Sequence, residues 1–77
     1  MEIKVLGTGC ASCKALFKTV EQVVAELGLQ ADVVKEEDLA EIMSYNVLTL
    51  PALVVDGRVV AKGKLSASDV KAVLTSR

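Results

Sequence analysis

The sequence has no histidine, no tryptophan, a single proline, one phenylalanine and one tyrosine. Without histidine, the side chain that most often serves as a base near neutral pH is missing, which removes hydrolytic arrangements built on an imidazole. Structural zinc normally takes four nitrogen or sulfur ligands, and the two cysteines supply only half of such a set. Neither sign of charge dominates: nine basic and ten acidic side chains leave a net charge of −1. No electrostatic footprint for nucleic acid or an anionic membrane follows from that balance. Long apolar runs are missing too. A membrane-spanning helix takes about 20 consecutive apolar residues, and the longest candidate, Val47 to Val55, is interrupted by Thr49 and Pro51. The opening Met1-Glu2-Ile3-Lys4-Val5-Leu6 has no basic segment leading into an apolar one. It reads as a strand rather than an export signal, and a cytoplasmic protein is expected.

What the chain does have is aliphatic. Residues of the AVILMFWYC set make up 52% of its 77 positions, with 13 Val, 10 Leu and 9 Ala. That content excludes a disordered tail, and the length fits one domain spanning 1–77. A domain of this size buries only roughly 60–65% of the surface of its unfolded chain, so its stability depends on efficient packing.

Glu2 to Leu6 carries β-branched residues at Ile3 and Val5 and stops at Gly7-Thr8-Gly9, which predicts a first strand. Leu16, Phe17, Val20, Val23, Val24 and Leu27 then recur on one face of a 3.6-residue period, and Gly28 supplies the stop. The helix they predict starts at or beside Cys10. Leu29 to Lys35 reads as a second, buried strand. Asp38 with Glu41 forms a capping-box-like start for a short helix over Leu39, Ile42 and Met43, ending near Tyr45-Asn46. Met43 and Tyr45 read as packing residues, and Lys35-Glu36-Glu37-Asp38 as a solvated loop with a cap. Asp56-Gly57 between Ala52–Val55 and Arg58–Lys62 specifies a tight hairpin. Ser66 and Asp69 form a second capping box flanked by the staple pair Leu65 and Val70, opening a helix through Ala67, Val70, Val73 and Leu74. The order is β-α-β-α-β-β-α. The first two strands are parallel through a right-handed crossover, the hairpin adds antiparallel strands, and helices cover both faces. The predicted fold class is thus α/β, a four-stranded mixed sheet flanked by three helices.

Cys10-Ala11-Ser12-Cys13 is the one reactive constellation. Free N–H groups and the positive dipole at a helix start stabilise a thiolate at Cys10, and Lys14 adds to that field. Cys13, nearly one turn inside, lies in position to attack a mixed disulfide on Cys10. Cys10 is therefore the candidate nucleophile and Cys13 the resolving thiol of a dithiol–disulfide exchange. Other readings compete. The cysteines could be small buried hydrophobes, or half of a zinc site shared by two chains. Gly7-Thr8-Gly9-Cys10-Ala11-Ser12-Cys13 also resembles the loop of small carriers that bind Cu(I) between two cysteines. Those carriers run β-α-β-β-α-β and place Met two residues before the first Cys; here Thr8 stands there and the chain ends on a capped helix. On local sequence alone, Pro51 is a strand-entry proline.

Taken together, Cys10-Ala11-Ser12-Cys13 after the first strand and Thr49-Leu50-Pro51-Ala52-Leu53-Val54-Val55-Asp56-Gly57 before the hairpin resemble the thioredoxin superfamily. The likeness covers nearly the whole chain and is nearest to its very small redox-active disulfide proteins. It implies a thioredoxin-like fold and a cis Pro51 beside the two sulfurs, with Leu50 offering backbone groups to an extended substrate. The two sulfurs themselves carry the electrons, so no cofactor and no metal is implied. The implied partners are disulfide-containing client proteins and a flavin-dependent disulfide reductase as electron donor, with the protein acting as a monomeric reductant; a glutaredoxin-like module is the neighbouring possibility. Gly9 replaces the family's usual Trp before the first Cys, Ala11-Ser12 replaces Gly-Pro, and no carboxylate follows Glu2 in the first strand to match the family's buried acid.

Overall fold

The computed structural model describes residues 1–63 and 65–75. Its elements are β1 (Glu2–Leu6), α1 (Ala11–Leu27), β2 (Asp32–Glu36), α2 (Leu39–Ser44), β3 (Ala52–Val55), β4 (Arg58–Lys62) and α3 (Ala67–Thr75). The sheet order is β2-β1-β3-β4; β1 and β2 are parallel, while β1–β3 and β3–β4 are antiparallel. The expected β-α-β-α-β-β-α order and mixed sheet are therefore present.

Alternation along β1 and β3 divides the core in two. Ile3 and Val5 of β1, with Leu53 and Val55 of β3, face α1 and α3, where they meet Leu16, Val20, Val23, Val70 and Leu74. Leu6, Ala52 and Val54 point the other way, onto Ile42 and Val47. Both helical stripes thus serve one face, and the short α2 serves the other. A bulge lets β4 contribute to both. Leu53 pairs with Ala61 but Val54 pairs with Val59, so Val60 is the extra residue. Val59 packs on the α2 side while the consecutive Val60 and Ala61 both reach the α1–α3 side.

The turns follow their residue types. Asp56 and Gly57 adopt φ of 50° and 83°, the left-handed pair that a two-residue hairpin requires. The Asp56 carboxylate also accepts from the Glu2 N–H at 2.9 Å, tying the hairpin to the start of β1. At α3 the capping box closes reciprocally: Asp69 N–H donates to Ser66 Oγ at 3.2 Å, and Ser66 N–H donates to Asp69 Oδ2 at 3.0 Å. Those bonds hold the Asp69 carboxyl below the usual carboxylate range.

Several expectations need correction. The second strand begins at Asp32, not Leu29, because the Leu29 N–H donates to the Val24 carbonyl and the Gly28 N–H to Ala25, which closes α1. It is also an edge strand and only partly buried, with Val34 40% exposed. Glu36 belongs to that strand rather than to a loop, and Lys35 lies in it as the strand expectation had it. Asp38 does cap α2, but its carboxylate accepts from Ala40 N–H, and its own N–H goes to Glu36 rather than Glu41. Met43 projects from α2 with 59% exposure instead of packing, whereas Tyr45 is half-buried against the α2-side cluster. Ala67 lies on the exposed side of α3. Among the described residues, no helix is long and apolar enough to cross a membrane.

Candidate redox site

β1 runs out at Leu6, and three residues carry the chain to Cys10, the N-cap of α1. Gly9 within this loop has φ of 87°, a region that L side chains rarely adopt. Gly7 serves a different purpose. A Cβ there would lie 2.5 Å from Cys13 Sγ and 2.6 Å from Cys13 Cβ, so the missing side chain is the space the inner cysteine occupies.

Cys10 and Cys13 are joined as a disulfide with their Cα atoms 5.1 Å apart. The two sulfurs differ in environment. Cys10 is exposed, and Cys13 is 5% exposed on the buried stripe of α1 that continues through Leu16, Val20 and Val23. Cys10 Sγ accepts from the Cys13 N–H at 3.2 Å, which places it where a Ser or Asp oxygen would sit in an ordinary N-cap. A sulfur so placed meets the free N–H groups and positive end of a 17-residue helix, the setting that favours its anionic form. The Lys14 N–H donates to the Cys10 carbonyl at 3.0 Å, the first turn of the helix. The Lys14 side chain is exposed and makes no hydrogen bond or ion pair among the described residues, so any influence on the sulfurs acts through space.

The Leu50–Pro51 peptide bond is cis. Leu6 pairs with Ala52, so Pro51, one residue earlier on the antiparallel strand, falls beside Gly7 at the end of β1 that leads to the cysteines. Pro51 is buried, and its carbonyl accepts from the Gly63 N–H at 2.6 Å; Leu50 is half-buried against the α2-side cluster. Chain segments 40 residues apart are therefore brought to one end of the sheet.

Two neighbours of the loop were not singled out by the sequence reading. In the sequence Gly7 reads as one of two turn glycines, and nothing marks it as the cover of a sulfur. Glu37 follows β2, and a Cβ on Gly9 would lie 3.2 Å from its Oε2. Its approach depends on the parallel pairing of β1 and β2, which places Glu36 opposite Leu6. Farther down β1, Lys4 Nζ lies 3.4 Å from Tyr45 Oη, and this hydrogen bond raises the lysine's pKa. Among the described residues, no group of three or more Cys, Asp or Glu side chains is arranged to hold a metal ion.

A model of the thioredoxin domain matches residues 1–75. The chain is 36% identical to a thioredoxin of Methanothermobacter thermautotrophicus over 76 residues, covering 97% of this chain and 99% of that one. It is likewise 36% identical to a thioredoxin of Methanocaldococcus jannaschii over 75 residues, 96% of this chain and 86% of the relative. Its fold superposes on thioredoxin 1 of the thermophilic bacterium Thermosipho africanus with a TM-score of 0.66 at 16% identity, covering 99% of this chain and 92% of that structure.

Proposed function

Since this chain belongs to the thioredoxin family and is a disulfide oxidoreductase, we propose that it works as a single-domain, cytoplasmic reductant in which Cys10 attacks and Cys13 resolves. The Cys10 thiolate attacks one sulfur of a client disulfide. A mixed disulfide forms, and the first client sulfur leaves as a thiolate. The Cys13 thiolate then attacks the Cys10 sulfur, the Cys10–Cys13 bridge forms, and the second client sulfur departs. The client gains two electrons and the protein loses two. The buried position of Cys13 keeps the inner thiol from competing for clients while leaving it one helical turn from the outer one. Lys14 contributes a positive charge near the thiolate, and Leu50 and Pro51 flank an extended client segment. A flavin-dependent disulfide reductase returns the protein to its dithiol form.

The observation that carries this reading is the contrast between an exposed N-cap sulfur and a buried one bonded to it. Trapping tests the roles directly. Cys13→Ser is expected to accumulate a mixed disulfide with a client protein, seen as a mass adduct that reductant removes, while Cys10→Ser does not. Equal trapping by both variants contradicts the assignment. In parallel, the wild-type protein should accelerate insulin reduction by dithiothreitol, and each serine variant should lose that catalysis.

A further inference from the structure

We propose that Glu37 selects disulfide clients by charge, favouring a cationic group beside the attacked sulfur and disfavouring an anionic one. The inference rests on Cys10 being the sulfur that meets the client. The pairing of β1 with β2 continues one residue past β1, since the Gly7 N–H donates to the carbonyl of Glu36, the last residue of β2, at 3.0 Å. The next residue, Glu37, is thereby held against the loop that precedes Cys10. Its Oε2 would stand 3.2 Å from a Cβ on Gly9, the immediate neighbour of the exposed cysteine. Gly9 has no side chain to screen the two from each other.

Among the described residues, no cation pairs with this carboxylate. Glu36 accepts from the Asp38 N–H at 3.2 Å, and Asp38 accepts from the Ala40 N–H at 2.9 Å, so both neighbouring acids are engaged in capping α2. Glu37 is exposed and has no hydrogen bond or ion pair among the described residues. Lys35 holds its ammonium 5.1 Å from the Phe17 ring centroid, and Lys14, exposed on the first turn of α1, has no ion pair among the described residues. Glu37 therefore adds a negative charge, unpaired among the described residues, at the rim a client must cross. At about 6 Å in water, two unit charges change an equilibrium or rate roughly threefold. Cationic and anionic clients move in opposite directions, so they separate about tenfold.

The test compares three small disulfides at low ionic strength: cystamine (a dication), 3,3′-dithiodipropionate (a dianion) and neutral 2-hydroxyethyl disulfide. Rates of oxidation of the reduced protein are normalised to the neutral compound within each variant, which removes any general loss of reactivity. The expected result is a cystamine-to-dithiodipropionate ratio about tenfold lower in Glu37→Gln than in the wild type. Glu37→Asp, which keeps the charge, should retain most of the wild-type ratio, and added salt should erode the wild-type preference. An unchanged ratio in Glu37→Gln, with the neutral disulfide still reduced, overturns the proposal for Glu37 and leaves the redox reading standing. Failure of the wild type with all three compounds overturns that reading and this inference together.

Discussion

The two faces of the sheet are built on different scales. On one, α1 and α3 close over Ile3, Val5, Leu53 and Val55, and an exposed ion pair between Lys71 and Glu26 at 2.9 Å links the helices. On the other, the six-residue α2 covers Leu6, Ala52 and Val54, while Leu39, Met43 and Leu48 remain 57, 59 and 95% exposed. Stability is concentrated on the thick side, because apolar area removed from water is the main favourable term and two helices remove more of it. The thin side is left to position chain ends, and the segments that converge on the cysteines, Leu6-Gly7 and Leu50-Pro51, belong to it or border it. A small domain thus separates the layer that holds it together from the layer that shapes its site.

Two buried leucines test that separation on equal terms, since Leu53 and Leu6 are both 0% exposed and point to opposite faces. Leu53→Ala is expected to cost about 4 kcal/mol and Leu6→Ala about 3, within the usual range for buried leucine, because a thin layer collapses more easily around a cavity. Urea denaturation measures both. The redox potential of the Cys10–Cys13 pair should rank them the other way, since Leu6 leads directly into Gly7 and the cysteine loop. If Leu6→Ala is the more destabilising variant and leaves the potential unmoved, the two faces are not specialised as described.

A smaller effect sharpens the comparison at the helix starts. Ser66→Ala removes the two hydroxyl bonds of the cap on the thick side and should cost about 1 kcal/mol; Asp38→Ala removes a single bond from a shorter helix and should cost less. The Ser66 bonds lower the Asp69 pKa, so their contribution is present above the ordinary carboxylate pKa and is lost as pH falls through the lowered one. Acid titrations of stability should accordingly show the wild type and Asp69→Asn, which cannot ionise, converging at the lowest pH. A constant gap between them down to that pH contradicts the assignment.

Local signals carried most of the fold. The α1 stripe, the Asp56-Gly57 turn and the Ser66–Asp69 box are each written within a few residues, and each forms as its pattern implies. The start of the second strand is ambiguous in the sequence because the same Leu29 that looks like a strand residue also closes a helix, and only its hydrogen bond to Val24 decides between the two. The Asp38 N–H is a similar case: sequence spacing alone points to Glu41, whereas the end of β2 brings Glu36 to it. At the site, Cys10 and Cys13 announce themselves by spacing. Gly7 and Glu37 do not, because their meaning arises from strand pairing and from a sulfur that packs where a side chain would be.

The most direct test of the account is the pH dependence of alkylation of the reduced protein by iodoacetamide, resolved residue by residue by mass spectrometry. A sulfur lodged in the N-cap of α1 should react first and alone, with a midpoint well below the value of about 8.5 for free cysteine, while Cys13 stays unmodified. A midpoint at the free-cysteine value for Cys10, or modification of Cys13 at the same rate, would contradict it.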